Sequence, residues 1–316
     1  MSKKNNQKAF ILVTAVWIIM IISVITVLIS YQTRLRLDTS SEHANEAKMN
    51  FIAKGIITKI AYDITKRDNQ NIVKSSELFL ILDYSPSDIP FIENLFITVS
   101  VKDEERMLNL NSSDEETLER FFYSFDLPEN ASACLLDWID SDDDDTNNGN
   151  GAEQNYYSSL EKGYSCKNAP LSSPEEILFV KDIDNNGTAA LPFFTVFGNG
   201  KINFNTVNRD TLVYIGLSEI LIDKILDYRK GEDFTDFTED DQFFESPEDI
   251  IEKLGEICYS EEIKEIEDRI DLLSTNSNYF KIELELKKEN SKKAYNIVAI
   301  IRIENEQWEI VSWKKV

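Results

Sequence analysis

The sequence predicts an α+β protein in three parts: a long N-terminal transmembrane helix, an antiparallel sheet, and a large helical domain inserted between the strands. Three observations predict it. Residues 9–33, AFILVTAVWIIMIISVITVLISYQT, carry no charge. Residues 96–101 (FITVSV) and the segment from Phe280 onward alternate in polarity with period two. Residues 102–279, between those strands, are mostly helical in pattern and contain paired motifs.

The apolar run comes first. As a helix, about 25 residues span roughly 37 Å, enough to cross a ~30 Å hydrocarbon layer. A core helix is rarely apolar on all sides over that length. Lys3, Lys4 and Lys8 flank its N-terminal end and favour that end in the cytoplasm. Arg34 and Arg36 follow the run, so the orientation rests on the short basic leader. The run is too long for a cleaved secretory signal, and no small-x-small site closes it. Instead Lys8-Ala9 stands directly before Phe10, which resembles a type IV prepilin leader. That resemblance implies cleavage after Ala9 by a prepilin peptidase and a methylated N-terminus at Phe10. Ala9 stands where such leaders usually end in Gly, and Thr14 stands where most such proteins carry Glu. A carboxylate in an apolar helix is costly unless it neutralises a neighbouring subunit's amine. A subunit with no neighbour ahead of it, at a filament tip, can do without the acid. From Leu35 to about Arg67 the helix continues as an amphipathic pattern (Ala44, Ala47, Phe51, Ile52, Ile56, Ile60, Ile64).

The totals bound what the body can do. The chain has 316 residues, 42% hydrophobic and 28% charged, enough for one large domain or two ordinary ones. Formal net charge is −24, and Lys3, Lys4, Lys8, Arg34 and Arg36 all precede the first acid, Asp38, so the body is more acidic still. Such a body repels phosphate backbones, so no nucleic acid is expected as a partner; metal cations or basic protein faces are. Cys134, Cys166 and Cys258 are too few for a disulfide framework. They leave two readings open, a Cys134–Cys166 bridge closing the acidic segment or three plain buried thiols. His43, the single histidine, lies in a polar helical run; a His-rich zinc site is excluded and a His-based triad is not expected. A membrane-anchored hydrolase could use the acids Asp137 and Asp140, but no nucleophile motif accompanies them, and the chain is not read as an enzyme.

In the body, Phe280, Ile282, Leu284 and Leu286 interleave with Lys281, Glu283, Glu285 and Lys287. Two further strands, Tyr295 to Ile303 and Trp308 to Trp313, flank a turn at Asn305-Glu306. This is a meander with one face buried and one wet. Long helix plus meander resembles a pilin plan. The insert repeats itself: LNLNSSDEETL (108–118) parallels INFNTVNRDTL (202–212), and SPEEI (173–177) parallels SPEDI (246–250). In each Ser-Pro unit, Ser fits an N-cap, Pro the first helical position, and the acids favour the positive helix end. Two duplicated modules follow, the first longer by about the length of the acidic stretch. The second copy resembles a helix-hairpin-helix or SAM-like unit, but its hairpin, Ile215-Gly216-Leu217, has one glycine with acids around it. A packing module is favoured over a DNA-binding one, and over a competence-type DNA receptor. The expected boundaries are 1–9 for the leader and 10–33 for the transmembrane helix. The pilin-like α/β domain takes 34–104 and 274–316. The first helical module, with the acidic loop, takes 105–200, and the second takes 201–273.

Six aspartates fall within residues 137–145 of LLDWIDSDDDDTNNGNGAEQNYY (135–157). A merely solvated loop is one reading. The other is calcium, which takes six to eight oxygen ligands from carboxylates, amides and carbonyls. With Asp142 as position 1 of an EF-hand-like loop, Asp144 is position 3 and Glu153 position 12; Asn147 stands where the motif has Gly, so the loop is not a true EF-hand. Gly149 and Gly151 supply the turn instead. Asp140, Asp142, Asp144, Asn148 and Glu153 are the candidate ligands. A second candidate, DIDNNG (182–187), offers Asp182, Asp184 and Asn186, but Phe193 stands where a bidentate acid belongs, which makes a plain turn the leading alternative.

The stretches LLDWIDSDDDDTNNGNGAEQNYY, KNAPLSSPEEILFV (167–180) and LPFFTVFGNGKINFNT (191–206), with the leader lacking the internal Glu, resemble the type II secretion minor pseudopilin K family, general secretion pathway protein K. The resemblance spans nearly the whole chain. It implies a non-enzymatic subunit of the inner membrane with a periplasmic body at the tip of the pseudopilus. It also implies association with other minor pseudopilins and the major pseudopilin, a role in initiating assembly for export of folded proteins, and calcium in the helical insert. Ala9, the extra-long aspartate run and the cysteines depart from the family picture. A minor pilin of a type IV pilus, and a membrane-anchored calcium-binding interaction protein, are the rival readings.

Overall fold

The computed structural model describes residues 2–66, 95–144, 150–183, 185–235, 238, 240–289, 291 and 293–316. In chain order its helices and strands are α1 (Ser2–Lys66), β1 (Leu95–Asp103), β2 (Leu108–Asn109), α2 (Glu115–Tyr123), α3 (Ala131–Ile139), α4 (Gln154–Ser159), α5 (Asn185–Ala190), β3 (Phe194–Thr195), β4 (Ile202–Asn203), α6 (Arg209–Tyr214), α7 (Glu219–Arg229), α8 (Pro247–Gly255), α9 (Ser260–Glu267), β5 (Leu273–Ser274), β6 (Tyr279–Lys288), β7 (Ala294–Glu304) and β8 (Gln307–Lys315). Two compact units share them, residues 1–56 and 57–316.

The first unit is helix alone. Its apolar window reaches a mean hydropathy of 2.3 with none of it buried, so α1 is long and apolar enough to cross a membrane. The hydroxyls of Ser23, Thr26 and Thr33 donate back to the carbonyls of Ile19, Ile22 and Ile29, each at 2.8 Å. Hydroxyls closed in this way leave no unmet donor for lipid to face.

In the second unit, the last turns of α1 bury Ile57, Ile60, Ala61 and Ile64 completely, one stripe at helical spacing. The four-stranded sheet has the order β1-β6-β7-β8 and is antiparallel throughout. Phe280, Ile282, Leu284 and Leu286 are all buried, opposite Ile301, Ala299, Ile297 and Tyr295 of β7. The intervening polar residues form the other face, where Lys102 meets Glu283 at 2.9 Å. Asn305 and Glu306, with φ of 51° and 60°, make the two-residue turn between β7 and β8; paired positive φ is what the strand twist requires there. The expected α+β architecture, with an N-terminal apolar helix and an antiparallel sheet, is borne out.

The insert packs around one apolar cluster that includes Leu118, Phe121, Phe194, Phe204, Leu212 and Ile222. Its two paired motifs make matching bonds. Asn109 Oδ1 accepts from Asn111 N at 2.9 Å, as Asn203 Oδ1 accepts from Asn205 N at 3.0 Å. Asn111 clamps Leu171 and Val196; Asn205 clamps Phe244 and Thr275. Asp114 caps α2 through Thr117 N, and Asn208 caps α6 through Thr211 N, both at 2.8 Å. Each motif opens on a short parallel pair, β2 with β3 and β4 with β5.

Sheet and insert meet at three consecutive acids, Asp103, Glu104 and Glu105, all buried. Asp103 Oδ2 accepts from Thr206 Oγ1 (2.5 Å), Ser277 Oγ (2.6 Å) and Asn203 Nδ2 (2.9 Å), while Oδ1 accepts from Glu105 N (2.8 Å). Glu104 accepts from Thr195 Oγ1 at 2.7 Å, and Glu105 from the amides of Asn199 and Asn278. Burial pushes all three carboxyls above the ordinary range, against these hydrogen bonds.

Candidate metal centre

Helix α3 is apolar on the side that carries Ala131, Cys134, Leu135 and Trp138, and packing that side draws Asp137 fully inside. Asp140 follows one turn later at the C-cap, so both carboxylates leave the same side of the helix end. The chain then returns. The carbonyl of Asn150 accepts from Cys134 Sγ at 3.5 Å, and Glu153, 3% exposed, stands at the N-cap of α4. Oxygens of Asp137, Asp140 and Glu153 all lie within 4.8 Å of one another.

Such proximity is unfavourable for three anions alone. Two like charges at 4 Å repel by about 4 kcal/mol at an effective dielectric of 20. Asp140 Oδ1 is buried with no hydrogen-bond partner among the described residues. Burial, then the charges of Asp142 and Asp137, push the Asp140 carboxyl up from its ordinary value. Gly151 lies so close that a Cβ there would overlap the Asp137 carboxylate. A small, hard cation fits this donor set. The thiols do not join it. Cys134 and Cys166 are buried and free, without a bridge. Burial pushes Cys134 up to about 12 and raises Cys166 as well, so neither offers a thiolate. Gly151→Ala is therefore expected to displace Asp137 and cost about 1–3 kcal/mol, as overpacking does. Thermal denaturation with and without divalent cation checks it: the variant melts lower and loses its cation response.

Of the expected ligands, the structure brings Asp140 and Glu153 together and adds Asp137, which the EF-hand-like register passed over. Asp142 and Asp144 are exposed and fall outside the cluster, although Asp142 is near enough to Asp140 to act on its charge: Asp142 Oδ1 accepts from Asp144 N at 2.9 Å. The physical reason is that the clustered carboxylates come from a helix end and a returning stretch of chain, not from consecutive loop positions. Asn148 and Asp184 lie outside the described residues. Asn186 falls in α5, of which only the backbone is described there. Asp182 does not join the cluster; its Oδ2 accepts from Asn130 Nδ2 at 2.6 Å. Ala9 and Phe10 lie within α1.

The hairpin of the second module is closed upon itself. Gly216 has φ 88°, and the amides of Gly216 and Leu217 bond within the turn. Ser218 N donates to Glu265 Oε2 at 2.8 Å, a carboxylate where a phosphate-binding hairpin would hold its ligand. Arg120 Nη1 and Arg269 Nε converge on the Ile215 carbonyl at 3.2 and 2.7 Å.

Residues 94–199 match the first-domain model of the family described as type II secretion system (T2SS), protein K. The segment contains α2, α3, the acidic loop and the carboxylate cluster, and over it the resemblance drawn from the sequence is borne out. In fold, the chain is similar to a chain of the crystal structure of the GspK-GspI-GspJ complex from the enterotoxigenic Escherichia coli Type 2 Secretion System. The TM-score is 0.61 at 16% identity, covering 87% of this chain and 99% of that one. Comparison with curated proteins gives no match.

Proposed function

We infer that this chain is a minor pseudopilin of a type II secretion system, on the premise of the protein K domain that residues 94–199 carry. That domain is the observation that carries the reading. The unburied apolar helix supports a single-pass inner-membrane anchor, with the N-terminus cytoplasmic and the body periplasmic. Ala9 and Phe10 flank the processing site, and Phe10 becomes the methylated N-terminus. Thr14, in place of an acid, suits a subunit with no neighbour ahead of it, hence the filament tip. There the chain initiates pseudopilus assembly for export of folded proteins. The solved relative sits in a complex with GspI and GspJ; the corresponding minor pseudopilins are the proposed partners here.

Asp137, Asp140 and Glu153 hold calcium in this reading. Bound calcium supplies positive charge that makes the buried carboxylates compatible with the folded state. The three residues fix the end of α3 to the start of α4. The matching hydrogen bonds around Asn111 and Asn205 support the reading of the insert as two copies of one module.

The test is co-expression of the full chain with the two minor pseudopilins of its own system. A stoichiometric detergent-solubilised complex is expected, and mass spectrometry should find N-methylated Phe10 at its N-terminus. A chain that stays alone and keeps residues 1–9 would overturn the assignment.

A further inference from the structure

Beside the start of the 182–187 motif, the second expected cation site, lies a cation that belongs to the chain itself. Lys181 Nζ donates to the Gly151 carbonyl at 3.3 Å and lies 4.0 Å from Asp182 Oδ2. It also sits 5.0 Å from the centroid of the Tyr156 ring. The Lys181 amide donates to Tyr157 Oη at 3.2 Å, which fixes the base of the side chain. That side chain is only 23% exposed. A carbonyl, a carboxylate and an aromatic face around one ammonium are the surroundings of a bound cation. One of them, Gly151, is the residue pressed against Asp137. Asp182 is turned toward this arrangement by a left-handed backbone, φ 64°, and by its bond to Asn130.

We propose that Lys181 is a resident counter-ion of the acidic loop: its ammonium ties the Gly151–Glu153 arm to the Asp182 turn and competes electrostatically with a divalent ion at Asp137, Asp140 and Glu153. The proposal rests on the reading that those carboxylates hold calcium. A fixed positive charge near the loop stabilises the metal-free form, where no divalent ion offsets the negative charge of the acids. It contributes less once a doubly charged ion is present, because the two cations repel. Lys181 is thus a positioning residue whose effect depends on the state of the metal centre.

The experiment uses the detergent-solubilised full chain, with Lys181→Met to keep the stem and remove the charge, and Lys181→Arg to restore the charge. Melting is followed in EGTA and in a calcium titration. Lys181→Met is expected to melt several degrees lower in EGTA and to bind calcium about 3- to 10-fold more tightly, so its calcium-induced rise exceeds that of the parent. Lys181→Arg returns both readings toward the parent. Equal lowering with and without calcium, or unchanged or weaker calcium binding, would mean that the side chain only packs, and overturns the proposal. If the parent chain itself does not respond to calcium, the metal reading fails separately. The EGTA arm then decides alone: loss with Met and rescue by Arg sustains the counter-ion, and no loss or no rescue overturns it.

Discussion

Chelating divalent cations from the solubilised chain should lower its melting temperature by about 5–10 °C, and Asp137→Asn should remove most of that difference. The size follows from linkage. An ion at 100 times its dissociation constant stabilises the form that binds it by about 2.7 kcal/mol, and each kcal/mol moves a chain of this size by roughly 2–4 °C. Asp137 is the decisive position because it is fully buried, within 4.8 Å of the other two carboxylates, and lies under Gly151. Replacing it with Asn keeps the shape but removes one of three charges. Asp142→Asn, on the exposed side of the loop, should leave the calcium response intact. Calorimetry with EGTA and calcium for the three proteins is the check. Equal responses for Asp137→Asn and the parent would exclude this cluster as the site.

Asp103→Ala should cost about 3–5 kcal/mol, read as a lower midpoint in urea. One carboxylate there satisfies the donors of Thr206, Ser277, Asn203 and Glu105 at the point where the chain leaves the sheet and where it returns. Truncation leaves those groups buried without an acceptor, and that penalty exceeds what the bonds themselves contribute. The pH dependence has a definite sign. The folded Asp103 holds its proton to higher pH than the ordinary value of 3.8, because burial raises it. In the window between the ordinary and raised values the folded form binds more protons than the unfolded chain, so this group adds stability as pH falls. Glu104 and Glu105 act in the same direction. Urea unfolding from pH 7 downward should therefore show a flattened acid limb, and Asp103→Asn should make it steeper.

The strands and the long helix were legible because each carries a period that one side of the chain must obey. Phe280, Ile282, Leu284 and Leu286 alternate, and burial follows the alternation. Asn305-Glu306 was legible as a turn by its polarity, though not as the paired positive-φ kind. The carboxylate cluster was half legible. Asp140 and Glu153 stood out among acids, but Asp137 sits inside LLDWI, a stretch that reads as apolar helix. Its place in the cluster depends on Glu153 returning across the end of α3, a contact between distant residues that no local spacing encodes. The junction acids were not legible at all. Nothing periodic marks Asp103, whose partners lie about 100 and 174 positions away.

The adjacency of Asp103 and Ser277 bears on how this architecture can change. Because the chain leaves and re-enters the sheet through neighbouring residues, everything between them behaves as a cassette plugged into a single socket. Lengthening the aspartate run, or adding a module, alters the cassette without shifting the pairing of β1 with β6. The sheet is thus separable from the insert, and a chain with residues 105–276 replaced by a short glycine-serine bridge should still form it.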